Sequence, residues 1–430
     1  MVLFWLIIVA FVCKACIVRD IPPKASDIKN NSQTTLAQAY PAPKNVKLNG
    51  IDYLQSQAPI GIFGGALISS TIGEGPKTFN PFNAKDNTSA TMSGVMYDGL
   101  LTSNPITGEP VPKLAKSFSI SPDGKVYTVY LREGIKWSDG KPITADDVVF
   151  TWNNIIFAGM GDTSTRDSLI IDGKLPTVRK YGDYTVVFSL AKAYAPFARL
   201  LSTPIAPKHK FISATQKGRE YFDTFLSTNT KPQDFVTSGA FKLKEYVPAQ
   251  RVVFERNPNY YEINTKNEKL PYLDKLIYLI VGDLNNEVLK FEAKELDVIS
   301  LQGSKVARYK TLESNSDFKL YNLGPDTGTM YLSLNLNNRK DNSGNYYVNP
   351  IKHKWFSDLG FRKAIDYAID RKNMVLNIAN GIGIPLFTPE SLNSIYLNKN
   401  LKPHNKDLNK AKNLLEKSGF YTDKKGRLYD

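Results

Sequence analysis

The run Pro112–Trp152, PKLAKSFSISPDGKVYTVYLREGIKWSDGKPITADDVVFTW, constrains the fold more than any other part of this chain. It reads as turn, strand, turn and capped helix, in that order. In Pro122-Asp123-Gly124 the proline presets φ, the aspartate bonds its own backbone, and the glycine accepts positive φ. Val126–Arg132 alternates and is rich in β-branched and aromatic residues, the pattern of a half-buried strand. Ser138-Asp139-Gly140 is a second turn. Thr144 followed by Asp147 is a capping box that starts a helix reaching about Phe157.

Length sets the next bound. At 430 residues, 42% hydrophobic and 22% charged, the chain is an ordered globular protein of more than one domain, since single cores stop growing near ~250–300 residues. The formal net charge is +14, but Lys and Arg are interleaved with Asp and Glu. No basic block or nucleic-acid motif stands out, so the charge reads as solvated surface with a bias toward anionic envelopes. The two cysteines, Cys13 and Cys16, form a C-x-x-C at the end of an apolar stretch, a poor place for a redox or metal motif. His209, His353 and His404 are scattered, so no metal site is expected and no cofactor is implied.

Val2–Val12 is an almost unbroken apolar run. It is short of the ~20 residues that span a bilayer and fits the h-region of an export signal, without a basic n-region before it. Residues 1–19 are therefore read as a signal or lipoprotein-type segment. Cys16, preceded by Ala15, is the candidate lipidation site, ahead of simple secretion and of an uncleaved anchor. Residues 20–59 are rich in Pro, Lys, Asn, Ser, Gln and Ala, and are read as a flexible tether.

The ordered words of the chain resemble one family. Pro112-Lys113-Leu114-Ala115, Leu131-Arg132-Glu133-Gly134, Lys136-Trp137-Ser138-Asp139-Gly140 and Thr144-Ala145-Asp146-Asp147-Val148 are similar to the signature region of the family-5 extracellular solute-binding proteins. These are the oligopeptide-, dipeptide- and nickel-binding receptors of bacterial ABC importers. Thr78-Phe79-Asn80-Pro81-Phe82, Met96-Tyr97-Asp98-Gly99-Leu100-Leu101, Ala206-Pro207-Lys208-His209 and the hairpin Thr237–Arg256 extend the resemblance. Asn257-Pro258-Asn259-Tyr260-Tyr261 follows, with Tyr261 where the family usually has Trp. Lys294-Glu295-Leu296-Asp297-Val298, the helical word Phe361–Arg371, with Gly381 as its stop, and a helix Leu408–Lys417 capped by Asp407 complete it.

The resemblance implies an α/β, periplasmic-binding-protein-like (type II) fold of two lobes with an extra third domain. The expected division is 60–97 with 200–322 as lobe I, 98–199 as the extra domain, and 323–430 as a partial lobe II. More of the second lobe is expected after the last helix than the chain holds. A truncated or frameshifted gene, a boundary chosen at expression and a shortened receptor are the readings of that difference. The implied function is that of the substrate-binding subunit of an ABC importer. It would capture peptides by hinge closure in the periplasm or on the extracytoplasmic face of the membrane, held there by a lipid anchor. It would then hand them to a permease and ATPase complex. A nickel-chelate or other small-solute receptor is the alternative, and a chaperone-like or structural envelope protein a second. An enzyme is not expected, because no P-loop, G-x-S-x-G or H-E-x-x-H occurs. Asp146-Asp147 reads as helix N-terminal charge, and Asp366 with Asp370 as an ion-pair face on one helix.

The ligand contacts implied by the resemblance fall in three segments. The first is the loop after the Asn-Pro word, Lys85, Asp86, Asn87 and Thr88. The second follows Leu296-Asp297, namely Ser300, Leu301 and Gln302. The third is a hinge-side strand around Met330 and Tyr331. The Asp that would pair with a peptide amino terminus is expected beyond the residues present.

Overall fold

The computed structural model describes residues 41–430, apart from 106, 302, 322–329, 379–380, 382, 391–393, 395–396, 399 and 402–403. The signal segment, Cys16 and Gln302 lie outside the described residues. Contacts divide the chain into two compact units, one up to Ile299 and one from Ser300 to Asp430. The lobe boundary expected at 322/323 is thus not where the units divide.

The first unit opens on a hairpin, β1 (Lys44–Leu48) and β2 (Ile51–Gln55), paired from Lys44↔Gln55 to Leu48↔Ile51. This corrects the expected tether over 20–59, at least from Lys44 onward. Asn49 and Gly50 form its two-residue turn at φ 49° and 81°, the left-handed pair that a type I′ hairpin turn needs. Tyr261 and Ile263 then tie β2 to β12 (Glu262–Ile263), which runs parallel to it.

The central sheet is β10 (Phe241–Val247), β11 (Arg251–Arg256), β13 (Lys275–Val281) and β3 (Ala66–Ile72), in that order. β3 and β13 are parallel in the register Ala66↔Lys275 to Ile72↔Val281, and the other pairs are antiparallel. Its strands come from both sides of 98–199 in the sequence. A second four-stranded antiparallel sheet orders β6 (Ala115–Ile120), β7 (Val126–Leu131), β9 (Thr185–Ser189) and β8 (Thr177–Lys180). A short ladder pairs β4 (Leu101–Ser103) with β5 (Pro110–Pro112).

Helix α1 (Asn87–Met96) packs Met92, Val95 and Met96 into the core under the central sheet, with Phe79, Phe254 and Tyr278. Helix α2 (Ala145–Phe150) starts at the expected capping box: Asp147 accepts from the Thr144 amide at 3.0 Å. It continues as a π-helical turn over Thr151–Ile156, where Thr151 donates its hydroxyl to the Asp147 carbonyl. This stretch lies between two cores. Val148, Trp152 and Ile156 join the cluster around Trp137, Phe188 and Phe197; Phe150 and Ile155 join the cluster around Phe79 and Phe254. Trp152 is fully buried, edge-on to Phe188 at 5.1 Å. Helix α3 (Lys208–Gln216) follows the Pro-Lys-His word, and α4 (Leu284–Glu292) follows β13.

The second unit is mainly helical among the described residues. It holds α5 (Gly303–Leu312), α6 (Pro350–Ser357), α7 (Leu359–Ala368), α8 (Arg371–Ile378) and α9 (Leu408–Lys417). A small hairpin of β14 (Tyr421–Thr422) and β15 (Leu428–Tyr429) follows. Asp407 caps α9 through the Lys410 amide at 2.8 Å, as expected. The expected single helix from Phe361 through Asp370 is instead two. Asp370 accepts from the Asn373 amide at 3.0 Å. A side chain that caps the next helix competes with continuing the first. Asp366 and Asp370 therefore do not share one helical face. Asp366 pairs with Arg371 and His404, and Asp370 lies 3.5 Å from Lys406.

Candidate functional site

In open α/β sheets ligands gather beyond the carboxyl ends of parallel strands. Here that place is the end of β3 and β13. Two helices begin beside it. Asp86 caps α1: its carboxylate accepts from the Ser89 amide at 2.8 Å and from the Ser89 hydroxyl at 2.7 Å. Asp283 caps α4 through the Asn285 and Asn286 amides at 2.7 and 2.9 Å. The Ser89 hydroxyl oxygen accepts from the Lys77 amide at 2.9 Å, which ties the loop after β3 to the start of α1.

β3 is an edge strand, and the direction of its backbone groups follows from its partners. The Gly65 carbonyl and the Gly73 amide bond to the β13 side. Odd-numbered residues of β3 therefore face β13, and even-numbered ones face outward. Asp297 occupies part of that outer edge. Its amide donates to the Ile68 carbonyl at 2.8 Å, and its carboxylate accepts from the Ile68 amide at 2.7 Å. Beyond Ile68, no described residue pairs with the backbone of Ser70 or Ile72 on the outer side. The motif Glu295-Leu296-Asp297 thus pairs with the edge at Ile68.

The two faces of β3 differ. Thr71 shares a 3.0 Å hydroxyl contact with Thr88 of α1. Ser70, on the opposite face, donates its hydroxyl to Glu287 of α4 at 2.5 Å. Glu287 is only 7% exposed. A shallow groove follows on the far side of α4, between Ile280–Gly282 and Asn286, Leu289 and Lys290.

The expected contacts fare unequally against this geometry. Asp86, Asn87 and Thr88 lie at the start of α1, but the Asp86 carboxylate is engaged in capping; Lys85 is exposed next to it. Ser300 is exposed and Leu301 half-buried, both in the second unit. Met330 and Tyr331 are 98% and 82% exposed in irregular chain. The expected strand there is not formed. Sequence reasoning missed Ser70 and Glu287. The alternation of Leu67, Ser69 and Thr71 against Ile68, Ser70 and Ile72 marks Ser70 as one face of a strand. Nothing in the chain pairs it with a residue so far downstream.

A separate, half-buried polar network gathers Asp98, Lys113, Tyr261 and Glu262. Lys113 pairs with Glu262 and lies 3.9 Å from Asp98, and Tyr261 donates to Asp98 at 2.7 Å. Burial pushes the Asp98 carboxyl up, while Lys113 and the Tyr261 hydroxyl oppose this. Burial pulls the Lys113 ammonium down, but Asp98 and Glu262 outweigh it and leave it raised. The Tyr261 phenol is held well above its ordinary value by burial and by Asp98. Tyr261 thus brings a hydroxyl donor that reaches Asp98. Among the described residues no three potential metal ligands cluster, and no helix is long and apolar enough to cross a membrane.

The described residues of the first unit form a mixed α/β scaffold whose central sheet holds one parallel pair, β3 with β13. The chain belongs to the bacterial extracellular solute-binding proteins, family 5 Middle, whose sequence profile matches residues 109–429. Its fold is that of solved periplasmic-binding proteins of this family. It is similar to the oligopeptide-binding protein AppA of Bacillus subtilis, 28% identical over 83% of this chain and 60% of that protein. The AppA structure in complex with a nonapeptide superposes with a TM-score of 0.64 and 26% identity, covering 86% of this chain and 68% of AppA. A probable ABC transporter-binding protein of Deinococcus radiodurans is 31% identical over 73% of this chain and 52% of its own length. A periplasmic alpha-galactoside-binding protein of Rhizobium meliloti is 29% identical over 73% of this chain and 46% of its length. The chain therefore spans about half to three fifths of the length of these curated relatives. The family is one of extracytoplasmic solute-binding proteins.

Proposed function

We propose that this chain is the solute-capturing component of an ABC importer and that its ligands are peptides. The family match over residues 109–429 carries this reading, and the outer edge of β3 at Ser70–Ile72, which no described residue pairs, supports it. An extended peptide laid beside it would continue the ladder, and main-chain hydrogen bonds would supply affinity without reading side chains. Kinship to AppA, solved with a nonapeptide, supports peptides over other solutes. Kinship to the alpha-galactoside-binding protein supports a small-solute receptor as the second reading. Capture makes and breaks no covalent bond, so the reading assigns no catalytic residue. Export, with an acyl tether at Cys16, and delivery to a permease and ATPase complex belong to the same proposal.

Calorimetric titration of the full chain with mixed di- to pentapeptides tests it. Saturable one-to-one binding is expected, with peptide retained on dialysis. Silence with peptides together with saturable binding of an alpha-galactoside or of nickel-histidine would overturn the peptide reading.

A further inference from the structure

Loops run over the surface of a protein, and the one that joins β2 to β3 is apolar. Residues 58–68 carry no polar or charged side chain. Ile60, Ile62 and Phe63 are nonetheless exposed, Ile62 at 68%. Neighbouring apolar side chains left in water mark a contact surface, and solute capture assigns this one no role.

The loop is held in place. Gly61 lies so close to the Tyr272 ring that a Cβ there would come within 2.8 Å of it. The Gly64 amide donates to the Tyr272 carbonyl at 2.9 Å. Phe63 packs on Tyr272 with ring centroids 4.8 Å apart, and the Arg256 guanidinium lies 5.4 Å from the Phe63 centroid. Arg256 is fixed in turn by the Tyr272 carbonyl and by Asp274, both at 2.8 Å. Ile62 is thus presented by a loop that needs little further ordering on contact.

Cations stand beside it. Ala66 is in register with Lys275, Lys275 with Glu255, and Glu255 with Lys242. This row crosses the end of the central sheet that the loop enters. Lys242 and Lys244 share the Glu255 carboxylate at 3.0 and 3.5 Å, and Lys275 is exposed. With Arg256 against Asp274, four cations stand here with two carboxylates. The formal net charge of the chain, +14, has the same sign. An apolar wedge flanked by cations complements an anionic lipid surface: hydrocarbon enters the boundary between headgroups and acyl chains, and ammonium groups meet phosphates. We infer that residues 60–63 are a membrane-contact loop that inserts Ile62 and Phe63 into an anionic bilayer surface. The inference goes beyond solute capture and needs neither a bound peptide nor an acyl tether.

The test is binding of the full chain to vesicles of phosphatidylglycerol and phosphatidylcholine in equal parts, with pure phosphatidylcholine as the neutral surface. Ile62→Ser should lower partition onto the anionic vesicles about tenfold, as expected for withdrawing one isoleucine side chain from an apolar phase. Lys275→Glu should lower it as well, and the loss should shrink as salt is raised. The apolar run Val2–Val12 also favours lipid, so Ile62→Trp serves to report on the loop alone. Its emission in excess of the wild type should shift to the blue with anionic vesicles, and lipids brominated on the acyl chains should quench it. Wild-type partition in Ile62→Ser overturns the inference, as does an Ile62→Trp emission that stays unshifted or shifts equally with neutral vesicles. Sedimentation velocity adds one further outcome. If Ile62→Ser turns a dimer into a monomer and leaves vesicle binding unchanged, the loop joins two copies of the chain and the membrane contact is refuted.

Discussion

The two units of this chain spend their apolar residues differently. In residues 41–299 the side chains of two large clusters are closed off from water, including Trp137, Trp152, Phe79, Phe188, Phe197 and Phe254. In residues 300–430 the buried apolar side chains among those described are Tyr309, Val348, Ala364, Ala411 and Phe420. Met374, Leu376 and Ile378 of α8, and Tyr346, Tyr347 and Leu401, face water. The physical cause is layering. A helix with one apolar stripe is stabilised by the layer it lies on. The first unit has two four-stranded sheets for that purpose, and the described part of the second has one two-residue hairpin. Both units cap helices with carboxylates, but only the first has fully buried charges among the described residues. The first unit buries Arg132 and Asp147 and half-buries the Asp98–Lys113 pair, whereas the second uses surface carboxylates such as Asp358 and Asp370 as helix caps.

The contrast is open to direct attack. Its largest expected consequence is in core truncation. Trp152→Ala in the first unit should cost ~3–5 kcal/mol, while Tyr347→Ala, 59% exposed in the second, should stay within ~0.5 kcal/mol. Urea denaturation of each variant measures both, and a small cost at Trp152 would break the comparison. Next comes the polar network. Tyr261→Phe removes the hydroxyl that donates to Asp98 and leaves that carboxylate underpaired, at ~1–3 kcal/mol. A neutral result would mean that water replaces the phenol there.

The smallest effect is in pH dependence, and its sign differs between Asp358 and Asp147. Asp358 is held below 3.8 by the Phe361 amide and by Ser418. Its contribution is complete above the unfolded value and is lost as pH falls through the lower folded one. Asp147 is pushed above 3.8 by burial, against the Thr144 and Lys208 amides. Its penalty is present at neutral pH and is relieved as pH falls through the raised folded value. Acid should therefore loosen the start of α7 at Asp358 before the start of α2 at Asp147, where Asp146, lowered by its bond to Lys180, is the opposing group. Amide exchange at pH 7, 4 and 3, corrected for intrinsic rates, reads the order; simultaneous opening would erase the distinction.

Much of the architecture was legible in local words. The turn at Pro122-Asp123-Gly124, the capping box at Thr144 and Asp147, the cap at Asp407 and the hairpin Phe241–Arg256 all form. Each depends on residues within a few positions of one another. One equally local signal was passed over: Asn49-Gly50 between Val46 and Tyr53 marks the β1–β2 hairpin, but the polar composition around it reads as tether. The break at Ile369-Asp370 was misread because apolar spacing across it stays helical while the Asp370 cap decides otherwise. At the candidate site the Asn-Pro and Leu-Asp words do lie near the strand edge. Asn80, however, is buried and bonds Phe225 and Phe82, Asp86 in the loop after it caps α1, and Asp297 binds the Ile68 amide.

By itself the sequence determined the family, the α/β class and the helix starts, because capping, turn chemistry and side-chain alternation act over a few residues. Only the tertiary structure decided which edge of β3 meets Asp297, that Ser70 meets Glu287, and that Asp98, Lys113, Tyr261 and Glu262 share one polar network. Those partners are far apart along the chain. No local preference encodes their meeting, and the packing of sheets and helices brings them together.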